Sequence, residues 1–175
     1  MTISIVVEDG TNVASANSFN TIAEARTYAL NRGVTLSATD DVVAAQLIKA
    51  TDYIQSKCCD FQGYETYETQ VLCFPREELY ISGRLFASDE IPAQLKGAQI
   101  QLVMAQAAGI NIFPNALATD FVVEEKIGPI TTKYADPTKV GLGDLSPSMT
   151  AVEALLKPLF SVCGQHGFAF KTLRV

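Results

Sequence analysis

The chain has 175 residues, 48% of them hydrophobic and 18% charged, enough apolar material for one domain with its own core; wholesale disorder is excluded. The net charge is −6 and the isoelectric point about 4.7. This argues against a broad nucleic-acid surface: neutralising phosphates takes clustered Lys and Arg, and the 13 basic residues are scattered, no two adjacent. Met1 to Val7 lacks the length and basic start of a secretory signal, and no run reaches the ~18 apolar residues of a membrane span. The expectation is therefore a protein made in the cytoplasm with no membrane partner.

Residues 1–9 alternate loosely and read as a short strand or arm, closed by the turn Asp9-Gly10-Thr11-Asn12. A first helix starts near Thr21, where Thr21 and Glu24 form a capping box, and stops at Asn31-Arg32-Gly33. A second runs from about Asp40 to Lys57, with Val43, Leu47, Ala50 and Ile54 at helical spacing and the acids Asp40-Asp41 on its positive end. Residues 58–90 read as irregular, broken at Gly63, Pro75 and Gly83. A third, long helix opens at Ile91-Pro92 and ends by Gly109. It is apolar around much of its circumference, relieved mostly by Gln, as fits a central or inter-subunit helix. Alternation around Gly128-Pro129 points to a β-hairpin near 121–135, with Pro favouring a wide loop. A Pro/Gly/Ser/Asp-rich linker spans 136–149. A short helix then begins at Thr150, where Thr150 and Glu153 repeat the capping pattern. The tail after Leu159 is apolar and basic. These readings give a mainly α fold: a small helical bundle over residues 1–159 with a short β-hairpin, and an extended C-terminal arm over 160–175.

Little of this carries catalytic chemistry. His166 is the single histidine and sits between glycines, as surface or turn histidines do. Cys58, Cys59, Cys73 and Cys163 contain no CxxC spacing and read as reduced thiols packed in the core or at helix ends. Paired carboxylates occur at Asp40-Asp41, Glu77-Glu78, Asp89-Glu90 and Glu124-Glu125, and the first and third pairs fall at helix starts, where the dipole accounts for them. No phosphate loop, dinucleotide fingerprint or HExxH helix is present. The reading is of no catalytic residue, no cofactor and no metal. Phe74-Pro75-Arg76 places an Arg beside an aromatic, which could stack on a base. With so acidic a chain, a buried Phe and an Arg that makes a surface or interface contact are the favoured reading.

Short signals follow one another in a fixed order: Val7-Glu8-Asp9-Gly10; Ala16-Asn17-Ser18-Phe19; Glu24-Ala25 with Tyr28 and Arg32-Gly33; the run from Leu47 to Ile54; Gln70 to Arg76; Ile91-Pro92; Lys126 to Ile130 with Tyr134; and Val152 to Leu159. Together they resemble the head-tail connector (neck adaptor) proteins of tailed phages, a family also labelled DnaT-like single-stranded-DNA-binding protein. The family pattern has Trp before Pro-Arg, where this chain has Phe74.

The resemblance implies a structural virion protein located in the neck. About a dozen copies would form a ring beneath the portal. The ring would extend the channel through which genomic DNA passes without specific binding, and dock the tail or a second neck protein. The partners implied are the portal protein, that neighbour and further copies of the chain. Residues 160–175, with Phe168, Phe170, Lys171, Leu173 and Arg174, are the expected portal contacts. Phe74, Arg76, Ile100, Val103 and Met104 are the expected subunit interface. Single-stranded-DNA binding, and a tail-completion or terminator role, are the alternatives.

Overall fold

The computed structural model describes residues 2–113, 124–127, 130–133 and 149–161. Helix α1 (Ile22–Leu30) begins where both halves of the capping box form: the Glu24 amide donates to Thr21 Oγ1 at 3.1 Å, and the Thr21 amide donates to the Glu24 carboxylate at 2.7 Å. That backbone bond holds the Glu24 carboxyl below its ordinary value. Past the helix end, Gly33 takes a φ of +75°, which lets the chain reverse. Arg26 then ties the connection down, pairing with Asp40 at 2.7 Å and donating to the Ser37 and Ala38 carbonyls.

Helix α2 (Asp40–Gln55) buries the predicted stripe of Val43, Leu47, Ala50 and Ile54. Helix α3 (Ala93–Ala107) starts after Pro92 and is central. It packs against α1, α2 and α4 (Thr150–Leu156), so its two apolar sides are covered by the chain's own helices. Helix α4 has Met149 at the cap position and passes into a 3₁₀ turn over Lys157–Leu159.

Residues 58–90 overturn the expectation of a mainly α fold. After a 3₁₀ turn at Cys58–Asp60, β1 (Tyr64–Glu65) pairs antiparallel with β2 (Arg76–Glu77), and β3 (Tyr80–Ile81) with β4 (Arg84–Leu85). A third pair joins β5 (Glu124–Ile127) to β6 (Ile130–Lys133). The architecture is mixed α/β, with helices beside small two-stranded antiparallel sheets. Two-residue strands are too short to show a period of two, so composition alone made this stretch look irregular. Their pairing is set by backbone: Ser82 and Gly83, with φ of +53° and +77°, give the positive-φ turn that a tight hairpin between β3 and β4 needs. The β5–β6 ladder sets Ile127 opposite Ile130; the loop expected at Gly128-Pro129 lies outside the described residues. The remainder of the expected 121–135 hairpin lies outside the described residues.

An aromatic cluster joins the helices to this strand region. Phe74 meets Phe19 and Phe61 edge-on, at 6.5 and 4.9 Å between ring centres. Phe61 continues to Phe160 at 5.1 Å, and the Ser161 amide donates to the Asp60 carbonyl at 2.7 Å. Phe160 and Ser161, assigned to the arm from sequence, therefore pack on the domain.

Candidate functional site

Several of the short signals in the sequence contribute residues to one interior framework among the described residues. Glu8 is 1% exposed, and its carboxylate accepts the amides of Gly10 (2.9 Å), Asn12 (3.1 Å) and Val13 (3.0 Å), folding the first loop around itself. Gln99 of α3 is wholly buried and links three segments. Its Oε1 accepts from the Phe19 amide (3.2 Å) and Asn20 Nδ2 (2.7 Å). Its Nε2 donates to Ser18 Oγ (2.9 Å), Thr51 Oγ1 (2.8 Å) and the Leu47 carbonyl (3.2 Å). Tyr28 of α1 lies against α3 at Gly97, where an added Cβ would stand 3.3 Å from its hydroxyl, while the Arg32 guanidinium sits over the Tyr28 ring at 3.3 Å.

Phe74-Pro75-Arg76 is interior as well. Phe74 is fully buried, and the Phe74–Pro75 peptide is cis. Arg76 is 7% exposed and spends its N–H groups on backbone: Nε on the Gln62 carbonyl (2.7 Å), Nη2 on Gly63 (2.8 Å) and Nη1 on Cys73 (3.2 Å). Its guanidinium pins the start of β1 to the segment that leads into β2. Neither residue presents a face to a base; Phe74 is buried as read, but Arg76 is interior and not the surface or interface contact that the sequence suggested.

Basic and aromatic side chains meet at the surface on the C-terminal half of α2 and just past its end. Lys49, Tyr53 and Lys57 follow one another at four-residue intervals and so share a face. Lys57 Nζ lies 5.3 Å from the Tyr53 ring, Phe113 packs on that ring at 5.8 Å, and Lys49 Nζ donates to Asn111 Oδ1 at 3.4 Å. Burial, and secondly the charge of Glu153 on α4, push the Tyr53 hydroxyl pKa up, so an acid faces this strip too. Two hollows flank α3: a cleft of about 520 Å³ beside α1, bordered by Tyr28, Arg32 and Lys96, and an apolar groove of about 530 Å³ beside α4, bordered by Val34, Met104 and Val152.

Of the expected interface residues, Phe74, Arg76, Ile100 and Val103 are buried within the single chain. They have no surface to offer a second copy, because α1, α2, α4 and the aromatic cluster already cover them. Met104 is half-buried, in the wall of the α4 groove. The expected portal contacts Phe168, Phe170, Lys171, Leu173 and Arg174 lie outside the described residues, as do His166 and Cys163. No cluster of three or more His, Cys, Asp or Glu side chains that could hold a metal ion occurs among the described residues, and no helix there is long and apolar enough to cross a membrane.

The family model described as "Putative DnaT-like ssDNA binding protein" matches residues 3–175. The chain belongs to that family. No curated protein and no solved structure matches it. In this member of the DnaT-like family the residues that matter most to the framework are Glu8, Asn20, Thr51 and Gln99. Sequence reading quoted Glu8 and Thr51 inside longer runs or stripes, took Gln99 as polar relief of the third helix, and passed over Asn20. A signal for Gln99 was present: it falls four residues after Leu95 and three before Leu102, on the core face of α3.

Proposed function

We propose that this chain is a structural, non-enzymatic connector of a tailed-phage neck, working by assembly beneath the portal and not by turnover. The observation that carries the reading is the interior position of Phe74 and Arg76. It removes the one base-stacking candidate in the sequence and leaves an acidic molecule, which suits a channel through which DNA must slide without sticking. Large apolar side chains are exposed on several elements, among them Leu30 on α1, Val42 on α2, and Tyr80 and Leu85 on the β3–β4 hairpin. Exposed apolar and aromatic groups of this kind fit protein–protein contact. The ordered signals that resemble the neck adaptors support the same reading.

Single-stranded-DNA binding is the second reading, and the family description supports it directly. The strip of Lys49, Tyr53, Lys57 and Phe113 is the surface that fits it: an aromatic platform flanked by cations is how bases and backbone are held without sequence preference. Two lysines opposed by Glu153 make a weak site.

The test is one experiment with two arms. Purified protein is mixed with isolated portal rings and, separately, with a single-stranded oligonucleotide at low and moderate salt. Sedimentation with the rings and no retention of the oligonucleotide is the expected result. Salt-sensitive oligonucleotide binding that Lys49→Glu and Lys57→Glu abolish, without ring binding, would replace the connector reading with the second.

A further inference from the structure

The Arg76 guanidinium is a buried cation without a buried anion. Its bonds go to neutral carbonyls, and no carboxylate stands within ion-pair distance of it among the described residues. Such a charge is costly unless something nearby balances it. The remaining partner of Nη1 is a sulfur: Cys58 Sγ, at 3.8 Å. Arg76 Nη1 brings Cys58 and Cys73 together, reaching the Sγ of one and the carbonyl of the other, at 3.2 Å, and the two thiols act on each other. Cys58 opens the 3₁₀ turn after α2 and is half-buried, whereas Cys73, just ahead of the cis Phe74–Pro75 peptide, is wholly buried. The two come from segments on either side of β1, so the contact closes a loop.

We propose that Cys58 and Cys73 are an oxidisable dithiol, a modification site for hydroperoxides in which Cys58 is the nucleophile and Cys73 the resolving thiol. The environment separates their roles. The neighbouring Cys73 thiol, then the charge of Arg76, draw the Cys58 thiol down, against burial and the Glu65 carboxylate, to which the protonated thiol donates at 3.5 Å. The same thiol contact and burial push Cys73 far above the ordinary thiol range. Cys58 is therefore the thiol that ionises more readily of the two and is reachable from solvent, whereas Cys73 holds its proton.

In the first step the Cys58 thiolate attacks the outer oxygen of a hydroperoxide. An S–O bond forms, the O–O bond breaks, and the leaving alkoxide or hydroxide takes a proton from water. In the second step Cys73 gives up its proton, its sulfur displaces the hydroxyl of the Cys58 sulfenic acid, and the proton leaves with that hydroxyl as water. Two thiols are oxidised to one disulfide and one peroxide is reduced. Arg76 acts as a positioning residue that keeps the thiolate in place.

The test is peptide mapping of the full chain after a hydrogen peroxide titration. The expected product has lost two hydrogens, carries a Cys58–Cys73 cross-link and reverts with dithiothreitol, and it forms before Cys59 is oxidised. Cys59 is the internal control, because it is exposed but lacks the cation. In Cys73→Ser the expected product is a sulfenic acid on Cys58, trapped by dimedone. Iodoacetamide should alkylate Cys58 several-fold faster than Cys59 at neutral pH, and Arg76→Lys should reduce that advantage. Because the mapping uses the parent chain, it does not depend on either variant folding. Oxidation of Cys59 with Cys58 and Cys73 still alkylatable, or equal alkylation rates at Cys58 and Cys59, would overturn the proposal.

Discussion

Gln99 shows what a single polar side chain does inside this protein. Both ends of its amide are fully used, on partners from the segment before α1 and from α2. Replacing it with Leu, of similar volume, would keep the packing but strand the Phe19 amide, while the Asn20 amide and the Thr51 hydroxyl would keep only their bonds to the Lys96 and Leu47 carbonyls. One unsatisfied buried group costs about 1–3 kcal/mol and the other lost bonds add to it, so Gln99→Leu should lose on the order of 2 kcal/mol. Urea unfolding checks this: the midpoint falls while the slope stays near that of the parent. A loss under about 0.5 kcal/mol, the level of an ordinary surface change, would mean that the groups find other partners. The position was half legible. Periodicity alone puts residue 99 on the core face, but a Gln there reads as polar relief until its partners, 48 to 81 residues away in sequence, are seen.

At the scale of elements, legibility followed range. Helices α1 and α2 announce themselves through local signals, a capping box and a stripe at 3.6-residue spacing, and these came out as read. The strands of residues 64–85 have no local signal of that kind, because what defines them is a partner found by tertiary contact. Gly63 makes the dependence concrete. It has a φ of +67°, and a Cβ added there would run into the Glu77 carbonyl, while its own carbonyl takes the Arg76 guanidinium. A side chain would thus meet both backbone strain and a collision with β2. Gly63→Ala should cost more than about 1 kcal/mol. Gly33→Ala serves as the comparison, since that glycine has a similar φ but open space around it. Thermal unfolding should rank the parent above Gly33→Ala and Gly33→Ala above Gly63→Ala. Equal melting temperatures for the two variants would show that the collision with Glu77 is relieved by movement.

At the scale of the whole molecule the question is where the domain stops and the segment proposed to meet the portal starts. Sequence put that boundary after Leu159, where composition turns apolar and basic. The structure carries the domain further: Phe160 lies on Phe61, and the Ser161 amide bonds to the Asp60 carbonyl. A truncation that tests portal attachment must therefore begin at residue 162, because one beginning at 160 removes a ring from the aromatic cluster and confuses unfolding with lost binding. Deleting 162–175 should leave the melting temperature unchanged and abolish sedimentation with portal rings; deleting 160–175 should also lower the melting temperature. The deleted segment carries Lys171 and Arg174 and no acid, so the shortened chain is two charges more acidic, and attachment could fail through charge alone. Paired variants in the full chain separate the causes. If the tail adds a strand to the portal, side chains seated in pockets supply specificity, and Phe168→Ala with Phe170→Ala should abolish attachment at every salt concentration. If the attraction is electrostatic, Lys171→Ala with Arg174→Ala should abolish it instead, and the parent should detach as salt rises. Normal attachment by the chain lacking 162–175 would remove the tail from the proposed function and shift the search to the exposed apolar residues of α1, α2 and the β3–β4 hairpin.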